Sequence, residues 1–280
     1  DNASSDGTLE QVAHRPAARL IANSLNRGFA AAVNQGVSAV AAPFVLLLNP
    51  DAELLTGIER LVEECGRPGI AAAGGKLVDG TGRPQAGFTV RRLPTPLSLT
   101  FEILGVNRVW PRNPVNRRYR CLDLKLEEQT EAEQPAGAFL MIRRDIWEQL
   151  AGFDEAFHPV WFEEVDFLKR ARDCGYKALY VPGAVASHGG ARSVEKLHPE
   201  SRQVYWYASL LRYSAKHFPP GTFRGVCVVL LLGSVLRMLG GMVFQFSLSP
   251  VRLYGRVIRL ACSRLFGRRI AGGGSAPALA

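Results

Sequence analysis

Residues Phe44 to Leu48 form an unbroken apolar run, and the chain then meets Asn49, Pro50, Asp51 and Glu53. A strand apolar at every position is covered on both faces, which places it between helices in an α/β sandwich. The flanking pattern agrees. Ala18 to Ala22 is a short apolar segment with strand character, and Gly28 to Ala42 is Ala- and Val-rich and reads as a helix ended by Pro43. Strand, helix, strand is the rhythm of a parallel α/β unit.

Further along, Leu54 to Cys65 carries a helical apolar stripe with Glu59, Arg60, Glu63 and Glu64 opposite it. Ile70 to Leu77 reads as a strand entering the tight turn Asp79-Gly80-Thr81-Gly82. Arg91 to Glu133 is rich in proline and arginine with little periodicity, an irregular excursion of the kind that serves as a lid or binding loop. Ala136 to Ile142 resumes as a buried strand, Asp145 to Leu150 as a helix, Glu163 to about Arg172 as another, and Lys177 to Val181 as a strand. Beyond a helix at Gln203 to Phe218, Val226 to Phe246 is almost wholly apolar and is followed by six arginines. That run reaches the ~20 residues of a membrane span. Arg237 near its centre raises the insertion cost by roughly 2.5 to 3.5 kcal/mol, which makes an interfacial helix an equal reading; a buried helix of a helical subdomain is the third. The domain plan is therefore 1–200 for the α/β domain, 201–221 for a helix and linker, 222–270 for a membrane-associated helical region and 271–280 for a flexible tail.

At 280 residues and 47% hydrophobic content the chain buries a substantial core, which excludes disorder. Its net charge of +9 calls for a polyanionic partner. Nucleic acid fits least, because the excess arginine sits in the excursion and after the apolar run and not on one aromatic-bearing face. Five widely spaced cysteines, with no C-x-x-C pair, give neither a disulfide framework nor a zinc knuckle and fit a reducing compartment. The opening Asp1-Asn2-Ala3-Ser4-Ser5-Asp6-Gly7 has no signal-peptide core and reads as a loop cut from something longer.

Ligands of open α/β sheets bind beyond the carboxyl ends of the strands, where Asn49 to Glu53 emerges. Asp51 is a candidate ligand for Mg²⁺ or Mn²⁺; as a cap of a helix starting near Leu54 it would be merely structural, and spacing leaves both open. Glu163, Glu164 and Asp166 open a helix, where they complement its dipole, and Asp166 can pair with Arg170; one of the three can equally be a general base. His188, followed by two glycines, is a metal-ligand candidate or a satisfied structural histidine. Asn26-Arg27-Gly28 puts a guanidinium and backbone N–H groups at a helix start, an arrangement suited to phosphate. There is no G-x-G-x-x-G and no P-loop.

Six stretches in order carry a likeness. They are Asp1 to Thr8, Asn26 to Ala30 with Asn34 and Gly36, Leu48 to Ala52, Ala136 to Leu140, Gly152 to Glu155 and Phe162 to Asp166. Together they resemble the family 2 inverting glycosyltransferases, in the bacterial rhamnosyltransferase-like branch of surface polysaccharide synthesis. The resemblance covers roughly residues 1 to 195. It implies a GT-A fold, a nucleotide-sugar-binding α/β domain with a central mixed, mostly parallel sheet. It also implies a nucleotide diphosphate sugar donor, a glycan or lipid-linked acceptor, and a divalent metal. Carried over, Asp1 contacts the nucleobase, with Asn26 and Arg27 near the nucleotide. Asn49-Pro50-Asp51 takes the D-x-D position with Asp51 on the metal, Glu164 takes the base position, and His188 lies near the metal or diphosphate. With the apolar run, the expected place is the cytoplasmic face of the bacterial inner membrane, peripheral or single-span, on anionic lipid.

Two departures bear on activity: Asn49 replaces the first acid of the D-x-D, and a glutamate stands at the base position. The family's leading strand and helix do not precede Asp1, so the expectation is a fragment, unstable and inactive alone. The competing classes are a metal-dependent phosphoesterase or nucleotidyltransferase, which needs a second set of metal ligands, and a non-catalytic membrane-attached scaffold or remnant.

Overall fold

A computed structural model describes residues 1–13, 19–189, 198–245 and 249–267. The expected tail at 271–280, Ala18 and Gly190 lie outside these residues. The chain divides into two compact units, one of residues 1–85 with 126–190, the other of residues 86–125 with 191–280. The excursion thus clusters with the C-terminal helices.

In the first unit the elements are α1 (Thr8–Ala13), α2 (Phe29–Ser38), β1 (Phe44–Leu48), β2 (Ala52–Thr56), α3 (Ile58–Cys65) and β3 (Ile70–Val78). In the second unit α4 (Pro96–Leu104), α5 (Val106–Val109) and α6 (Pro114–Tyr119) follow. The first unit resumes with β4 (Thr130–Ala132), β5 (Phe139–Arg143), α7 (Arg144–Gln149), α8 (Glu163–Asp173) and β6 (Lys177–His188). The second closes with α9 (Pro199–His217), α10 (Pro220–Gln245) and α11 (Ser249–Phe266).

The six strands form one sheet in the order β1, β5, β3, β6, β2, with β4 also on β6. β6 runs parallel to β3 along its length, while its other edge carries β4 on its first half and β2 on its second, both antiparallel. The sheet is mixed, as expected, but its parallel share is smaller than expected: of the ladders described, only β3 with β6 is parallel. The reason lies at residues 19–22, which form no strand, so that β1 has β5 as its described partner and runs antiparallel to it.

Side chains alternate across β5. Leu140 and Ile142 join Trp147, Phe153 and Phe167 of one core, covered by α2, α7 and α8, whereas Phe139 and Met141 join Leu61, Cys65 and Leu77 of the other, covered by α3. Each such side chain withdrawn from water contributes about 1.5–3 kcal/mol. All five cysteines are free, and burial pushes the Cys65 thiol up to about 12, which leaves it inert.

Two expectations need correction. The helix read from Leu54 begins at Ile58, because Leu54 and Leu55 belong to β2. The excursion is not irregular: Thr95 caps α4 in a reciprocal pair with Ser98, and the Asn113 side chain caps α6, so local polar caps start helices that apolar periodicity does not reveal.

In the second unit α10 packs against α4, α9 and α11. Its Val226, Cys227, Leu230 and Ser234 are buried, while Val228, Leu232, Val235, Leu236, Leu239 and Met242 form an exposed stripe at helical spacing. Arg237 turns inward, donating to the Tyr207 hydroxyl (2.9 Å) and to the Glu102 carbonyl (3.3 Å). Its charge is therefore accommodated by protein, and the helix shows one apolar face outward; by length and composition Pro220–Met242 is long and apolar enough to cross a membrane.

Candidate active site

Pairing explains how Asp51 is delivered. Leu48 lies opposite Phe139 on β5, and Ala52 lies opposite His188 on β6, so Asn49, Pro50 and Asp51 carry the chain across the carboxyl ends of the strands. Gly57, and not Asp51, is the N-cap of α3. The capping role is thereby removed. Asp51 Oδ1 faces His188 Nε2 at 3.5 Å, and the two side chains are 7% and 5% exposed.

Gln85 fixes which histidine nitrogen does this. Its Nε2 donates to the His188 carbonyl (2.8 Å), so its Oε1 is the atom lying 3.1 Å from His188 Nδ1. An acceptor there places a proton on Nδ1 and, in the neutral ring, turns the Nε2 lone pair toward Asp51. A lone pair facing a carboxylate calls for a positive charge between them, supplied by a second ring proton or by a cation. One carboxylate and one imidazole suit a hard divalent ion that keeps water and substrate phosphate as its other ligands. Among the described residues no group of three His, Cys, Asp or Glu side chains forms a closed metal cage.

The three acids of α8 separate by environment. Asp166 is fully buried and accepts from Arg170 Nε (2.8 Å), while the same guanidinium donates to the carbonyls of Leu150 and Gly152. It is a structural clamp on the loop after α7. Glu163 is 3% exposed, and its Oε2 has no hydrogen-bond partner. Burial pushes its carboxyl well above the usual range, and the charge of Glu164 adds to this. Glu164 alone is partly exposed. Trp161 and Phe162 enter the helix with left-handed backbone (φ 78° and 73°), a strain of about 1–3 kcal/mol each. Such strain persists where packing enforces it, and Phe162 is buried.

A contact chain joins Asp51 and Glu164. Asn49 N donates to the Ala138 carbonyl (3.0 Å), and the adjacent Gly137 leaves room for Glu164: a Cβ at 137 would lie 3.1 Å from Glu164 Cγ. On the other side, Phe29 N donates to the Pro159 carbonyl (2.8 Å) in the loop that leads to Glu163.

Asp1 is held between Ile21 and Asn23 by backbone bonds, and its Oδ1 accepts from Ser4 N (2.9 Å). Asn2 is the hub of the neighbouring loop, bonding the Asn26 side chain, Arg27 N and the Gly28 carbonyl. The phosphate cradle expected at the start of α2 is not available as drawn, because Arg27 N, Gly28 N and Phe29 N already donate to Asn2, Asn26 and Pro159. The Arg27 side chain is exposed. Asn34 bonds Phe153 with both ends of its amide, which ties the second matching stretch to the fifth.

Gln85 was not singled out from sequence, and Asn2 and Gly137 lay in matching stretches without a role of their own. For Gln85 the readable signal is the Asp79–Gly82 turn, which folds the chain back so that Gln85 N reaches the Leu77 carbonyl.

The chain is 29% identical over 252 residues to the N-acetylglucosaminyl-diphospho-decaprenol L-rhamnosyltransferase of Mycobacterium tuberculosis, covering 77% of this chain and 78% of that protein. Among solved structures, a mannosyltransferase from Pyrobaculum calidifontis in complex with GDP-Man and Mn²⁺ is 15% identical. That match covers 95% of this chain and 76% of that one at a TM-score of 0.49. GalNAc-T7 with UDP, GalNAc and Mn²⁺ is 13% identical, covering 78% of this chain and 43% of that one at a TM-score of 0.47. The family model for glycosyl transferase family 2 matches residues 1–151, more than half the sequence, and the chain belongs to that family.

Proposed function

We propose that this glycosyltransferase moves a sugar, rhamnose by its likeness to the mycobacterial enzyme, from a nucleoside diphosphate to a hydroxyl of a lipid-diphosphate-linked saccharide, with inversion, at the cytoplasmic face of a bacterial membrane. One observation carries the reading. The Asn49–Asp51 crossing, through Asn49 N, and Glu164 both adjoin the segment Gly137–Ala138, which supports a metal-ligand carboxylate and an accessible base acting on one donor.

Glu164 accepts the proton of the acceptor hydroxyl as its oxygen attacks the anomeric carbon, and the nucleoside diphosphate leaves from the opposite face. Burial raises the Glu163 carboxyl above its ordinary range, which disfavours a second negative charge beside the base. The Arg27 guanidinium, on an exposed residue, would meet the departing phosphates, and the Asp1–Asn2–Asn26 loop would meet the nucleoside. Asp51 and His188 would hold a Mg²⁺ or Mn²⁺ ion, which would supply positive charge to the diphosphate.

The test is Glu164→Gln. Transfer should fall by about 10²-fold or more while donor affinity stays within about twofold, as removal of a general base requires. Retained transfer at wild-type rate would put the base elsewhere.

A further inference from the structure

The segment 86–125 holds eight Lys and Arg against two Asp and Glu. An open cavity of about 480 Å³ lies beside α6, lined by Arg92, Arg117 and Arg118, with Pro114 and Leu124 as apolar wall and Asp123 as its acid. Arg92 N donates to the Tyr119 carbonyl (2.8 Å), and Asp123 holds Arg117 in place (2.8 Å). Three arginines and one acid lining a single opening suit a compact polyanion, because a guanidinium can donate two parallel hydrogen bonds to phosphate oxygens.

The same element carries an apolar tip. Arg108, Val109, Trp110, Pro111 and Arg112 are all exposed, Val109 at 90% and Trp110 at 58%. The tip is built, since buried Asn113 donates to the Trp110 carbonyl (2.7 Å) and buried Asn116 to the Pro111 carbonyl (2.7 Å). Asn116 directly precedes Arg117 and Arg118, so tip and cavity are built on one stretch of chain. A tryptophan and a valine flanked by arginines match the boundary between lipid headgroups and hydrocarbon.

We infer that this cavity is a subsite for the diphosphate of a lipid, with the Val109–Trp110 tip against its apolar portion. The inference rests on the lipid-linked acceptor proposed above and names where its diphosphate is held.

The full chain, without divalent metal, is titrated calorimetrically with farnesyl diphosphate, inorganic pyrophosphate and farnesol. Farnesyl diphosphate should bind, and the Arg117→Ala/Arg118→Ala double variant, both positions being exposed, should weaken it at least tenfold without changing the response to farnesol. Trp110→Ser should weaken farnesyl diphosphate and leave pyrophosphate unchanged. In transfer assays the double variant should raise the acceptor KM at unchanged kcat. Wild-type binding of farnesyl diphosphate by the double variant overturns the inference, as does pyrophosphate binding as tightly as the lipid. The two readings fail separately: transfer retained by Glu164→Gln removes the proposed base and leaves this subsite standing, whereas an unaffected double variant removes the subsite and leaves the chemistry standing.

Discussion

Gln85 decides what His188 can do. Its amide orientation is dictated by a backbone carbonyl, and through it the imidazole presents a lone pair to Asp51. Gln85→Leu should therefore leave the fold intact and raise the metal concentration for half-maximal activity by about 10- to 100-fold, the usual effect of losing such an orienting partner. An unchanged metal requirement would mean that the tautomer is set by something else. Gly137 makes the second residue-scale prediction. Gly137→Ala places a methyl 3.1 Å from Glu164 Cγ and should lower kcat more than it changes donor binding, with a stability loss of about 1–3 kcal/mol by thermal melting. Asp51, His188 and Glu164 were candidates in the sequence because acids and a histidine stand at strand and helix ends, and their separate roles were implied by the likeness to the family. Gln85 was not, since an amide in a loop acquires meaning only from what the fold brings to it, and Gly137, though inside a matching stretch, gains its role only from Glu164 beside it.

Helix α8 buries one of its acids, and this has a pH signature. The folded-state pKa of Glu163 is raised by burial and then by Glu164, so its contribution favours folding below the ordinary carboxylate pKa and is lost as pH rises through the raised value. The melting temperature of the wild type should therefore fall, as pH rises above the ordinary carboxylate range, relative to that of Glu163→Gln. Parallel profiles would place Glu163 in water. Gly57, at φ 81°, starts α3 where a Cβ would lie 2.2 Å from the Gly183 carbonyl. Gly57→Ala should cost about 2–4 kcal/mol in denaturant unfolding, from left-handed strain and overpacking together. The start of α3 was misread from sequence because Leu54 and Leu55 satisfy a helical stripe as well as a strand, and only pairing with β6 separates the two. β1 was read to the residue, since five apolar positions between a proline and a polar turn leave no alternative.

Charge divides the whole molecule. Residues 86–125 and 191–280 contain 21 Lys and Arg and 4 Asp and Glu, a net +17, whereas residues 1–85 and 126–190 contain 13 and 21, a net −8. The basic unit also bears the exposed stripe of α10. Vesicles with anionic lipid should therefore retain the protein in flotation, and salt well above the physiological ~0.15 M should release it, since screening shortens the reach of surface charges. Equal retention by neutral vesicles would leave the apolar stripe as the sole attachment. The basic excess was visible in the composition, but its segregation was not, because the excursion joins the C-terminal helices only in three dimensions. The account as a whole stands on one cleft shared by Asp51 and Glu164. The most direct measurement is a crystal structure with Mn²⁺ and a non-hydrolysable nucleotide sugar, read by anomalous scattering. The account predicts the manganese on Asp51 and His188, with the anomeric carbon presented to Glu164. Manganese and diphosphate bound away from Asp51, or a sugar turned from Glu164, would contradict it.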